Sequence, residues 1–194
     1  MPAGRPKGFD EQQVLERAMN LFWLHGYQGV GLSDLLKHMG ISRQSLYDTF
    51  GNKRALFMRV IEHYRATQLV DALALLDRDG SPLANVKAVI RFFEQLASDS
   101  RCRGCLVANT LVELGPHDGQ IAALLEETLG LLQQDLQRAL REAQRRDELS
   151  ADKSPLDLSR SLTNSLMGMA VLGRLPSEPA SLRSVTAETL SMLD

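Results

Sequence analysis

The stretch that decides the fold is LSDLLKHMGISRQSLYDTFGNK, residues 32–53. It reads as two short helices around a tight turn. Ser33 is an expected N-cap of the first, and Leu35, Leu36 and Met39 form its inward side. Gly40 permits a sharp turn because a residue without a Cβ tolerates positive φ. Ile41 plugs the gap, Ser42 caps the second helix, and Leu46 and Phe50 anchor it. Arg43, Gln44 and Tyr47 are left near the start of that second helix. This is the layout of a helix-turn-helix, a device that sets a few side chains against base edges in the DNA major groove.

The chemistry of those side chains suits the task. Arg43 can donate two hydrogen bonds to guanine, and Gln44 can pair bidentately with adenine. Tyr47, one turn later, can meet a phosphate or a thymine methyl. Ser33, Ser42 and Lys53 stand at helix starts, where N–H groups, hydroxyls and positive charge favour a phosphate. Arg5 and Lys7 lie in a Gly-Arg-Pro-Lys-Gly arm that can reach the minor groove or the backbone. An ordinary helical hairpin with a wet polar face would share much of this pattern.

Working outward, a first helix is expected over Asp10 to His25. Asp10 caps it, Gln13 completes a capping box, and Gly26 ends it. Val14, Ala18, Phe22 and Leu15, Met19, Trp23 recur at fours on its apolar face. A fourth helix opens at Asn52 or Lys53 and carries Leu56, Phe57, Val60, Ile61 and Tyr64, continuing toward Leu76. Gly80, Ser81 and Pro82 break it, with Ser81-Pro82 as N-cap and N1 of the next helix, which ends near Ser98. Further helices are expected over 105–114, 118–146, 155–173 and 179–193. No strand pattern or internal repeat is visible. The fold class is all-α, divided into a DNA-binding domain over 1–52 with a flexible N-terminal arm, and a helical domain over 53–194.

Composition agrees. Aromatics make up 5% of the chain, which favours helices over sheets. The net charge of −2 is divided unevenly. Residues 1–65 hold 9 Lys and Arg against 6 Asp and Glu, whereas the remainder holds 13 against 18. A basic front and an acidic back direct only the front toward phosphates. Two cysteines do not make a disulfide framework. The opening residues lack the apolar core of a secretion signal, and no apolar run reaches bilayer length, so a cytoplasmic protein without a membrane partner is expected.

The runs AMNLFWLHGYQGVGLSDLLKHMGIS, LYDTF and GNKRALF, in that order and spacing, resemble the DNA-binding domain of the tetracycline-repressor (TetR) family. The resemblance implies a three-helix DNA-binding domain followed by a helical ligand-binding and dimerisation domain. It also implies a homodimer on a near-palindromic operator, released by an unidentified small-molecule effector. One departure stands on the reading surface: many relatives carry His or another neutral residue where this chain has Asp48. Phosphates repel an acid there, unless it accepts from a cytosine amino group.

The back half resembles a drug- and electrophile-responsive branch of that family through RGCLVANTLVELGPHD, residues 103–118. Phe92, Phe93 and Leu96 precede this segment, and Asn109 and Glu113 lie one turn apart within it. Together with Cys105 they are candidate effector contacts, an apolar wall with a few polar fixtures. Equally, Asn109 can bond a neighbouring backbone group while Glu113 faces solvent. Cys105 sits beside Arg101 and Arg103 at a helix start, which stabilises a thiolate and makes an electrophile sensor conceivable beside an inert buried thiol. Cys102 and Cys105 lack the further ligands a zinc site needs, so neither metal nor cofactor is expected. Leu162, Leu166, Met169, Leu182, Val185 and Leu190, on the last two helices, are candidate dimer contacts. His25, His38 and His63 scatter through the front half and form no catalytic set, so a helical enzyme or a protein–protein adaptor on the same scaffold ranks behind a DNA-binding regulator.

Overall fold

The computed structural model of the chain describes residues 8–98, 103–175 and 179–194. Among these the secondary structure is helical throughout, α1 (Glu11–Gly29) to α10 (Pro179–Ser191). The chain forms two compact units, Met1–Ala66 and Thr67–Asp194. The division falls later than the 52/53 boundary expected from sequence. The reason is packing: α4 (Lys53–Tyr64) lies against α1, and its Leu56, Phe57, Val60 and Ile61 are buried.

In the first unit, the Asp10 carboxylate caps α1 by accepting from the N–H groups of Gln12 (2.9 Å) and Gln13 (3.4 Å). The Gln13 side chain reaches back, as a capping box requires, but donates to the Asp10 carboxylate at 3.2 Å. Gly26 breaks the helix as expected, with φ 75 and ψ 170, although one more turn follows. The core is aromatic where α1 meets α4: Phe22 and Phe57 pack edge to face at 4.8 Å, and Tyr27 tilts against Phe57 at 4.9 Å.

Between α2 (Leu32–Met39) and α3 (Arg43–Phe50), Gly40 takes φ 72 and donates its N–H to the Leu36 carbonyl. An Ala there would carry the left-handed penalty of about 1–2 kcal/mol. Arg17, on α1, donates to the Met39 carbonyl at 3.1 Å and so covers one of the orphan acceptors at the end of α2. The turn is thereby held by a residue remote from it in sequence.

The chain passes from the first unit to the second inside a π-helical turn, Arg65–Leu69, which leads into α5 (Val70–Leu76). In the second unit, α6 (Pro82–Ser98) packs against α5, α8 (Gly119–Arg145), α9 (Pro155–Leu172) and α10. Its Val86, Val89, Ile90 and Phe93 share a core with Leu136 and Leu140 of α8 and with Leu162, Leu166 and Met169 of α9. Next to this bundle, α7 (Leu106–Leu114) packs on α8 and α9. Close approach governs one crossing: a Cβ on Gly173 would lie 2.7 Å from the Cα of Ala97.

Glu148, in the loop between α8 and α9, closes the start of α6. Its carboxylate accepts from the Ser81 hydroxyl at 2.6 Å and from the Leu83 N–H at 3.0 Å. The Ser81 bond first, then the backbone bond, hold this carboxyl below the ordinary carboxylate range.

Candidate nucleic-acid interface

The site is built on α3. Its inner side is Leu46 and Phe50, both buried, which fixes the rotation of the helix about its axis. Gln44 and Asp48 then fall on the opposite side and Tyr47 on the flank, as helical geometry demands, while Arg43 is exposed at the first position of the helix. Arg43, Gln44, Tyr47 and Asp48 are all exposed, with Tyr47 46% accessible. Ser42 starts the helix where it was expected to: its hydroxyl accepts from the Ser45 N–H at 3.0 Å and lies 2.9 Å from the Ser45 hydroxyl.

Two reading-face residues are paired. Gln44 donates its side-chain amide N–H to the Asp48 carboxylate at 2.7 Å, across one helical turn. Nothing in the spacing alone required this bond, although the i, i+4 separation made it possible.

Other sequence expectations change. Ser33 is not the N-cap of α2; Gly31 is, and Ser33 is an exposed residue of the first turn. The helix begins early because Leu32 already takes helical backbone angles, while Gly31 has the extended conformation of a cap. Lys53 has a structural partner that the sequence did not reveal. Its ammonium donates to the Tyr27 carbonyl at 2.6 Å and lies 4.3 Å from the Tyr27 ring centroid. Asn52 caps α4, accepting from the Ala55 N–H at 2.8 Å, so the helix opens at Lys53 within the expected start. Arg5 and Lys7 lie outside the described residues.

Additional ties hold α1 to α4 behind the reading head. Arg59 pairs with Glu11, and the His63 Nε2 lies 3.0 Å from a Glu16 carboxylate oxygen. Gln12, Gln13, Glu16, Arg17 and His63 line an open groove of about 370 Å³ there.

The candidate effector residues do not form one wall. Phe93 is buried in the bundle core, whereas Leu96, in the last turn of α6, is 50% exposed. Phe92 is half-buried and packs at the margin of the core. Asn109 donates to the Arg103 carbonyl at 2.9 Å, the backbone bond that the sequence left open as an alternative. Glu113 is half-buried one turn further on. Cys105 is 4% exposed at the N-cap position of α7. Burial of that kind removes it from direct contact with a dissolved electrophile, contrary to what a sensor thiol needs. Cys102 and Arg101 lie outside the described residues.

The dimer candidates also separate. Leu162, Leu166, Met169 and Leu182 belong to the protomer's own core, and Leu190 packs against it. Of the six, Val185 alone is exposed, at 37%. The reason is that α9 turns its strongest apolar stripe toward α6 and α8, while α10 packs on α6 and α9. Their outward faces carry smaller residues, including Ser161, Asn164 and Gly168, with Val171 and Leu172 following.

Comparison with known proteins places this architecture. The sequence pattern described as "Bacterial regulatory proteins, tetR family" matches residues 14–60, and "Tetracyclin repressor-like, C-terminal domain" matches residues 82–188. The chain is 33% identical to the uncharacterized HTH-type transcriptional regulator YezE of Bacillus subtilis, over 98% of this chain and 100% of that protein. It is 31% identical to the HTH-type transcriptional repressor ComR of Escherichia coli, over 97% and 91%. Among solved structures, a cysteine mutant of the TetR-family regulator CifR in complex with a 26-base-pair operator duplex superposes with a TM-score of 0.86. That match covers 96% of this chain and 98% of the other at 28% identity. The protein belongs to the TetR family and is a helix-turn-helix, DNA-binding transcriptional regulator. No described helix is long and apolar enough to cross a membrane.

Proposed function

We propose that the protein is a repressor that binds a two-fold symmetric operator as a homodimer and leaves it when a small molecule occupies the second unit. The observation that carries this reading is the exposed surface of α3, where Arg43, Gln44 and Tyr47 are open to solvent while Leu46 and Phe50 anchor the helix in the core. ComR, a full-length relative, is a repressor, and CifR is held on operator DNA in its solved structure. Two copies would set two α3 helices about one DNA turn, roughly 34 Å, apart. Ser42, at the start of α3, and the arm with Arg5 and Lys7 would add phosphate or minor-groove contacts.

Dimerisation is assigned to the outward faces of α9 and α10, with Val185 among the contacts. For the effector, Phe92, Asn109 and Glu113 supply one ring and two polar groups on α6 and α7. The burial of Cys105 favours a bound ligand over direct thiol modification as the signal. Such a ligand must bind the released arrangement more tightly than the DNA-bound one, since equal affinity shifts no equilibrium.

Selection of bound sequences from random duplex DNA tests the reading. A consensus with two-fold symmetry is expected, and a panel of small molecules added to the selected complex should contain some that release it. Binding that is indifferent to sequence would overturn the operator reading.

A further inference from the structure

The bond between Gln44 and Asp48 bears on which base the recognition helix selects. Gln44 is a neutral amide with one acceptor oxygen and two N–H donors on a single nitrogen. A carboxylate only accepts, so the contact at 2.7 Å commits the nitrogen side of the amide to Asp48. Two consequences follow. The amide is oriented, with its nitrogen held on Asp48. Its remaining capacity is reduced to one acceptor and one donor.

That pair complements adenine, whose major-groove edge offers N7 as an acceptor and the N6 amino group as a donor. It does not complement guanine, whose edge offers two acceptors, N7 and O6. With both donors available, an unrestrained glutamine could turn its nitrogen toward guanine. We propose that Asp48 is a specificity-determining positioning residue: it takes one Gln44 N–H and so commits Gln44 to adenine over guanine at one position of each operator half-site. This rests on the placement of α3 in the major groove. It also accounts for an acid on a surface where phosphates repel it. The negative charge is tolerated because its role is toward Gln44, not toward DNA.

A bond of this type also gives a helix a small amount of stability whatever the helix does. The test therefore reads base discrimination and not affinity. Removing Asp48 lowers phosphate repulsion on every duplex alike, so affinity itself will move for an unrelated reason. The ratio of affinities for two duplexes that differ in one base pair cancels that change.

The full-length protein is used throughout. Selection from random duplexes gives the consensus, and Gln44→Ala identifies the position that Gln44 reads. Paired duplexes with A·T or G·C at that position are then titrated against wild type, Asp48→Ala and Asp48→Glu. Wild type is expected to prefer adenine by about tenfold or more, the scale of a bidentate contact. Asp48→Ala should lose most of that ratio, and Asp48→Glu, which keeps a carboxylate on a longer stem, should recover part of it. The side-chain amide resonances of Gln44 in the DNA-free protein give a second reading. They should shift in Asp48→Ala relative to wild type. An unchanged adenine-to-guanine ratio in Asp48→Ala, unchanged Gln44 amide resonances, or a base other than adenine at the Gln44 position would each overturn the proposal. Those failures would leave DNA binding intact, whereas a wild-type protein that selects no sequence would remove the groove placement as well.

Discussion

The ammonium of Lys53 lies 2.6 Å from the backbone carbonyl of Tyr27 and 4.3 Å from the centroid of the same residue's ring. One side chain therefore joins the first turn of α4 to the last turn of α1 by a charge-assisted hydrogen bond and a cation–π contact. Lys53→Ala removes both. A loss of about 1–2 kcal/mol is expected, within the range for a hydrogen bond to a charged group at a partly exposed site. Chemical denaturation of the wild type and variant measures it. A difference indistinguishable from zero would mean that the contact is idle.

Arg43 stands exposed in the first turn of α3. If it reads a base, Arg43→Ala should cost about 1–3 kcal/mol on the selected operator and relax one position of the consensus. Titration against a set of single-base operator variants gives the answer. A uniform loss on all duplexes would make Arg43 a phosphate contact instead.

Acid should loosen the start of α6. The folded-state pKa of Glu148 is depressed, chiefly by the Ser81 hydroxyl, so its contribution is fully present above the ordinary carboxylate value. That contribution is lost as the pH falls through the depressed value. Glu148→Gln keeps the size of the side chain but not its charge. Its Tm should fall at neutral pH and approach that of the wild type in acid. Parallel Tm curves for the two proteins across the acid range would contradict the linkage.

Gly168 lies on the outward face of α9, where an added Cβ would meet nothing within 4 Å in the protomer. A helix-interior glycine costs about 1 kcal/mol relative to Ala, which invites a reason for its presence. Close approach of a second α9 is such a reason. Gly168→Arg should weaken dimerisation at least about tenfold, the equivalent of 1.4 kcal/mol, without unfolding the protomer. Sedimentation equilibrium and circular dichroism together decide it. A variant that dimerises as tightly as wild type would move the interface elsewhere.

Thr186 is 4% exposed on α10, and among the described residues nothing partners its hydroxyl. Thr186→Val replaces that hydroxyl with a methyl of similar size. A gain of about 0.5–1.5 kcal/mol is expected, since a buried polar group without a bond loses its hydration for no return. A destabilised variant in thermal unfolding would show that the hydroxyl has a partner.

The helices, most of the expected caps and the turn at Gly40 were legible in the chain because the interactions that make them span four residues or fewer, Ser33 being the cap that the structure moved to Gly31. Asp10, Ser42 and the Ser81-Pro82 pair carry their instructions locally, and so does the helical repeat that turns Leu46 and Phe50 inward while Gln44 faces out. The family resemblance added the role of that face. The tertiary structure alone decided which apolar stripe of α9 meets α6, and so placed Leu162, Leu166 and Met169 in the core instead of at a dimer contact. It also decided that Arg17 holds the Met39 carbonyl, that Lys53 holds Tyr27 and that Glu148 closes α6. Each of those pairs brings together residues more than twenty positions apart. A periodic pattern states that a face will be buried, but only the packing of whole helices chooses its partner.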